Sequence, residues 1–149
     1  MSHDALHILL ADDDDDDRLF FKDAIEEVKL KTVFTVVNDG VELMEHLAKL
    51  EIRLPGLVFL DLNMPRKSGL ECLKEIRADD KFKNLVVAIY STSALEKDID
   101  ETFINGANIY IKKPNDFKAL KIILDKVITM NWQYHTLGLN KENFLLYIE

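Results

Sequence analysis

Acidic, amide, hydroxyl and ammonium side chains stand at the ends of short apolar runs in this chain. Asp12 and Asp13 follow Ile8-Leu9-Leu10-Ala11, and Asp61 and Asn63 lie in Leu60-Asp61-Leu62-Asn63-Met64-Pro65. Ser91-Thr92 ends a fourth run and Lys112-Lys113-Pro114 a fifth. Carboxylates crowded into a partly dry cleft repel one another, and each resists ionisation unless a cation joins them. A hard divalent ion bound by a few carboxylate oxygens, with positions left for a phosphate, is the magnesium pattern. A lysine and a hydroxyl at neighbouring ends would add a cation and a donor for the oxygens of a transferring phosphoryl group. The residue types therefore read as phosphoryl-transfer chemistry, provided the fold brings the ends of the runs together.

Five apolar runs alternate with five segments of helical spacing. The runs are Leu6–Ala11, Thr32–Val37, Leu57–Asp61, Leu85–Tyr90 and Ala107–Lys112. Between and after them, apolar stripes at helical spacing are Phe21, Ala24, Ile25, Val28; Leu43, Leu47, Leu50; Leu70, Leu73, Ile76; Leu95, Ile99, Phe103; and Phe117, Leu120, Leu124, Val127. In the first and third runs Ile8-Leu9-Leu10 and Leu57-Val58-Phe59-Leu60 are continuously apolar, the sign of strands covered on both faces. Strict alternation with right-handed crossovers then predicts an α/β fold, a (βα)5 doubly wound five-stranded parallel sheet. In such sheets ligands bind outside the carboxyl ends of the strands, which is where the polar residues above stand.

The 149 residues suffice for one domain with a short appendage. Hydrophobic residues at 48% and charged residues at 31% describe a foldable chain. The lone Cys72 excludes an intramolecular disulfide and a multi-cysteine zinc site, and suits a reducing cytoplasm. The start has no basic segment, and Ile8 to Ala11 is too short to be a signal peptide or membrane span, so no membrane association is expected. Of the net charge of −8, six units come from Asp12 to Asp17 alone. That balance offers no basic patch for nucleic acid, and no direct DNA binding is expected.

Together, the acidic pair after the first run, Asp-x-Asn-Met-Pro after the third, a hydroxyl after the fourth and Lys-Pro after the fifth resemble the receiver domain of bacterial response regulators. The resemblance spans about residues 5–130 and implies the flavodoxin-like strand order 2-1-3-4-5. It is similar above all to stand-alone receivers, including the small regulators that serve phytochrome-type histidine kinases. By this resemblance Asp61 is the phosphorylation site, and Asp12, Asp13, Asp61 and the Asn63 carbonyl hold Mg2+, Asp13 directly and Asp12 through water. Lys113 pairs with the phosphoryl oxygens, Ser91 is the switch hydroxyl, and Tyr110 is the aromatic that swings inward after it. The resemblance further implies a cytoplasmic two-component phosphoprotein, not an enzyme acting on other molecules. A sensor histidine kinase or phosphotransfer protein would supply the phosphoryl group. The face of the fourth helix, fifth strand and fifth helix would control a downstream protein partner.

Other readings bear on the same residues. Aspartate-nucleophile, Mg2+-dependent phosphatases share the fold class, but they place a second acid two residues beyond the nucleophile, where this chain has Asn63. An EF-hand starting at Asp12 would need Gly at 17 and Glu at 23, and the chain has aspartate at both. Asp14 to Asp17 read as a charge run at a helix start, favourable at the positive end of the helix dipole. His3, His7, His46 and His135 show no metal-ligand spacing, and Cys72 reads as a small, partly buried helix residue. The receiver resemblance assigns residues 1–130 to the domain. Residues 131–149, rich in apolar side chains, read as an extension packing on the domain or on the partner of a homodimer.

Overall fold

Strands form where apolar, β-branched stretches can be covered on both faces. A computed structural model describes residues 5–49, 54–137 and 145–147, and side-chain surroundings as far as Met130. In it β1 (Leu6–Ala11), β2 (Thr32–Val37), β3 (Leu57–Leu60), β4 (Val86–Ser91) and β5 (Ile109–Lys112) form a parallel sheet in the order 2-1-3-4-5. Every residue of β3 and β4 is buried. The helices are α1 (Asp15–Glu26), α2 (Gly40–Lys49), α3 (Gly69–Ala78), α4 (Glu96–Ile104) and α5 (Phe117–Leu137), with a short 3-10 turn at Asp80–Phe82. This is the expected doubly wound, flavodoxin-like receiver fold. Among the described residues, no helix is long and apolar enough to cross a membrane.

The sheet divides the core in two, and the alternation of side chains along each strand decides which half a residue enters. Ile8, Leu10, Leu57, Phe59, Val86, Ala88, Tyr90, Ile109 and Ile111 face α1 and α5. Leu9, Ala11, Val58, Leu60, Val87, Ile89 and Tyr110 face α2, α3 and the Ile99 side of α4. Phe21 of α1 anchors the first half, packing edge-on against Phe59 and Tyr90 with centroids 4.8 and 5.2 Å away. Two glycines let loops approach backbone. A Cβ on Gly69 would lie 2.2 Å from the Asp61 carbonyl oxygen, and one on Gly40 2.3 Å from that of Lys67. Both close approaches press on the β3–α3 loop, and Arg66 in the same loop sits at φ +66°, held by both oxygens of Asp39.

Three features differ from the expectations. A sixth strand, β6 (Leu145–Tyr147), pairs in parallel with β5 from Ile109↔Leu145 to Ile111↔Tyr147. Three residues with no alternating pattern are too short a run to signal a strand, and only the open β5 edge makes them one. Helix α5 continues past Met130 to Leu137. In α4 the helix is where the spacing puts it, but the apolar stripe is not its buried face. Leu95 and Phe103 are exposed and Ile99 is half-buried, while Thr102 is buried, its hydroxyl donating to the carbonyls of Asp98 and Ile99. That bond back to the preceding turn satisfies the hydroxyl and lets a polar residue take the inner position. Leu50 of the second stripe lies outside the described residues.

Candidate functional site

Continuing the strand alternation one residue past β1 and β3 puts Asp12 and Asp61 on the α1/α5 side of the sheet, with Lys113 just past β5 on that same side. The structure brings these three ends together. Lys113 Nζ donates to Asp61 Oδ2 at 3.2 Å and lies 2.9 Å from Asp12 Oδ2. The second contact has ion-pair distance without hydrogen-bond angles, so Asp12 Oδ2, fully buried, accepts no hydrogen bond. Asp12 Oδ1 accepts from the Asp14 N–H at 3.0 Å, and Asp61 Oδ1 receives the Asn63 N–H at 3.4 Å. Asp12, Asp13 and Asp61 each present a carboxylate oxygen within 4.8 Å of the others. Asp13 is exposed at the mouth of this cluster.

Burial dominates the electrostatics. It pushes the Asp61 pKa up to about 6, the nearby Lys113 charge offsetting it in part and Asp12 adding to it. Burial raises the Asp12 carboxyl as well, against the pull of the Asp14 amide and of Lys113. For Lys113, burial alone would favour the neutral amine, but the hydrogen bond to Asp17 and the charges of Asp61 and Asp12 outweigh it and hold the proton more firmly than usual. The Lys113 ammonium also sits 5.4 Å from the Tyr90 ring centroid, a cation–π contact on the α1/α5 side. One ammonium thus faces several carboxylates. Asp12 Oδ2 has an unused acceptor, the donors are all hard oxygens, and the site fits a divalent cation of the magnesium or manganese kind.

Ser91 and Tyr110 fall on the opposite face, toward α4. Ser91 ends β4 fully buried, and its Oγ accepts the Ser93 N–H at 3.1 Å. Tyr110 is also fully buried, its hydroxyl donating to the Ser93 carbonyl at 2.8 Å. In this structure the aromatic expected to swing inward lies inside, its hydroxyl bonded to the β4–α4 loop. Burial raises its phenol pKa, the Ser93 bond opposing it. Asn63 lies exposed beside Asp61. Lys112, paired in register with Ser91, is half-buried.

Asp17 was missed. The charge-run reading holds for Asp14, which caps α1 by accepting the Asp17 N–H, and for Asp15, which pairs with Arg18. Asp17 instead reaches Lys113 Nζ at 2.7 Å, the shortest of the lysine's three carboxylate contacts. Within six consecutive aspartates no spacing distinguishes it, and only the packing of α1 beside the end of β5 does. Arg18 steadies the same turn by donating to the Asp12 carbonyl at 2.8 Å. Cys72 is buried, its thiol pushed up to about 12 by desolvation and directed at the Gly40 carbonyl, far from nucleophilic chemistry.

Comparison with known proteins agrees with this geometry. The chain is 32% identical over 122 residues to the chemotaxis protein CheY-3 of Vibrio cholerae, covering 82% of this chain and 91% of that protein. Among solved structures it resembles the phosphorylated cyanobacterial phytochrome response regulator RcpA, at 29% identity with a TM-score of 0.79, covering 87% of this chain and 95% of that one. It also resembles the Mn2+-bound form of response regulator Rcp1, at 26% identity with a TM-score of 0.74, covering 83% and 91%. The sequence profile described as the response regulator receiver domain matches residues 8–125. With that match over most of its length and the acidic cluster at its strand ends, the chain belongs to the response regulator receiver family of two-component signalling.

Proposed function

We propose that this protein takes a phosphoryl group from a histidine kinase, or from a phosphotransfer protein, onto Asp61 and passes the change to a protein partner. The observation that carries the reading is the contact of Lys113 Nζ with Asp61 Oδ2 inside a three-carboxylate cluster at the strand ends. In the transfer, an Asp61 carboxylate oxygen attacks the donor's phosphorus, a P–O bond forms, the phosphorus–nitrogen bond of the donor phosphohistidine breaks, and the imidazole leaves with the electron pair. Asp12, Asp13, Asp61 and the Asn63 carbonyl would hold Mg2+, which supplies charge neutralisation at the phosphoryl oxygens when bound. Lys113 adds a fixed positive charge on the α1/α5 side, in a buried setting where it acts strongly. Ser91 supplies a hydroxyl from β4: its oxygen accepts the Ser93 N–H, and its proton would turn to a phosphoryl oxygen on Asp61.

The output follows from the same loop. A Ser91 hydroxyl drawn toward Asp61 pulls on Ser93, whose carbonyl holds the Tyr110 hydroxyl. The α4-β5-α5 face, with exposed Leu95, Phe103 and Ile104 nearby, would then present a changed surface to a downstream protein. The likeness to regulators of phytochrome systems favours a phytochrome-type kinase as donor, in the cytoplasm. Residues 131–149 read as an extension of the receiver that packs on its own domain or on the partner of a homodimer, and within it Leu145–Tyr147 pair with β5. The match to the receiver profile gives the phosphatase alternative no support, and Asn63 cannot serve as its second acid. Intact mass after treatment with a small phosphodonor and Mg2+, with peptide mapping, tests the reading. One phosphoryl group at Asp61 is expected, and none in Asp61→Asn; full modification of Asp61→Asn would overturn it.

A further inference from the structure

We propose that Asp17 is a positioning residue for phosphoryl transfer, a latch that holds the Lys113 ammonium until an incoming phosphoryl oxygen displaces it; the inference rests on the reading of Asp61 as acceptor. An ammonium has three N–H donors. In Lys113 two of them are spent on Asp17 at 2.7 Å and Asp61 at 3.2 Å, while Asp12 is met at 2.9 Å without hydrogen-bond geometry. Three carboxylate oxygens within 3.2 Å already crowd the ammonium, so a phosphoryl group on Asp61 that brings new anionic oxygens to it competes with one of them for its place. Asp61 and Asp12 are held in place, buried at the ends of β3 and β1. Asp17 is not: its side chain is 36% exposed on the first turn of α1, so water can take it up when the lysine leaves.

The same geometry separates Asp17 from its neighbours. Asp14 is committed to capping α1 and Asp15 to Arg18. Asp16 is exposed and carries the same charge one residue away, but among the described residues the carboxylates paired with Lys113 are those of Asp12, Asp17 and Asp61. Asp17 also lies outside the three-carboxylate group that could hold a cation. Its influence on the reaction therefore runs through Lys113.

Small-phosphodonor kinetics on the full chain with Mg2+, beside side-chain ammonium NMR of Lys113 in the unphosphorylated protein, test the proposal. Asp17→Asn should raise the phosphorylation rate constant about fivefold, the equivalent of about 1 kcal/mol at roughly 1.36 kcal/mol per tenfold, the size of a part-exposed ion pair. Asp16→Asn, the control for net charge, should change it less than about twofold. Asp17→Glu, which keeps the carboxylate within reach, should return the rate toward that of the wild type. The Lys113 ammonium signal should shift and exchange faster in Asp17→Asn and not in Asp16→Asn. Mg2+ affinity should stay with the wild type in Asp17→Asn and fall in Asp13→Ala. Equal rates in the two asparagine variants, an unmoved Lys113 signal, or a loss of Mg2+ affinity matching Asp13→Ala would each overturn the latch. If Asp17→Asn does not fold, Asp17→Ser takes its place. A wild-type protein that takes no phosphoryl group would bring down the function instead, and the Lys113 signal would still decide the latch.

Discussion

Asp61 shows how one buried carboxyl carries both a cost to the fold and the chemistry. Its folded pKa of about 6 stands above the ordinary aspartate value of 3.8 because desolvation outweighs the Lys113 charge. Between about pH 4 and about pH 6 the folded chain therefore holds a proton that the unfolded chain has released. The sign follows: the Asp61 contribution to stability falls as pH rises through that window and stays low above it. The loss is at most about 3 kcal/mol, from roughly 1.36 kcal/mol for each pKa unit. Asp61→Asn, which removes the titration, should raise the melting temperature at pH 7.5 without Mg2+ and flatten the decline in stability between pH 4 and 6. Chemical denaturation across that range checks this, and an unchanged slope would count against Asp61 as the titrating group. Asp12 is raised in the same direction, so part of the decline should survive the substitution.

The β3–α3 connection sets the position of Asp61 more than any single contact to its side chain. Ser68 caps α3 in a reciprocal box with Glu71, and the next residue, Gly69, donates its N–H to the Leu62 carbonyl at 2.9 Å. With the Asp61 carbonyl 2.2 Å from where a Cβ would stand, and Leu62 Cα at 2.8 Å, no flexible side chain can yield. Gly69→Ala should destabilise the fold by about 1–3 kcal/mol, as overpacking against backbone does. Because the relief must come from the loop, it should also lower phosphorylation of Asp61. A glycine-to-alanine change that left both melting and phosphorylation untouched would show that the loop adjusts freely.

The sheet as a whole ends in β6, which covers the edge of β5. An uncovered parallel edge presents unpaired N–H and C=O groups to other chains. Truncation after Leu137 removes β6 and keeps α5. If β6 straps the edge of its own chain, melting should drop by roughly 2–4 °C for each kcal/mol lost, at unchanged mass. If the extension binds a second copy, sedimentation should instead show loss of a dimer with little change in melting.

Much of this molecule could be read from residue order. The continuous apolar character of Ile8-Leu9-Leu10 and Leu57-Val58-Phe59-Leu60 announces strands covered on both sides, and a strand's end is where its next polar residue must be. That locates Asp12 and Asp61, and alternation along the strand, a local property of the backbone, picks Lys113 over Lys112 for their side of the sheet. The stripes of α1, α3 and α5 were legible for the same reason. Leu95 and Phe103 misled, since a stripe shows which side of a helix is apolar and not whether a neighbour lies against it. Thr102 could take the inner position because its hydroxyl finds carbonyls within its own helix. The β6 strand has no local signal, and it exists because β5 leaves an edge to pair with. Tyr110 could be placed on its strand, but its buried rotamer depends on the Ser93 carbonyl of another loop. Asp17 and Lys113, 96 residues apart, meet through the packing of α1 beside α5 and the end of β5. A contact across that separation depends on how layers stack, and six identical aspartates carry no local difference from which to choose the one that reaches across.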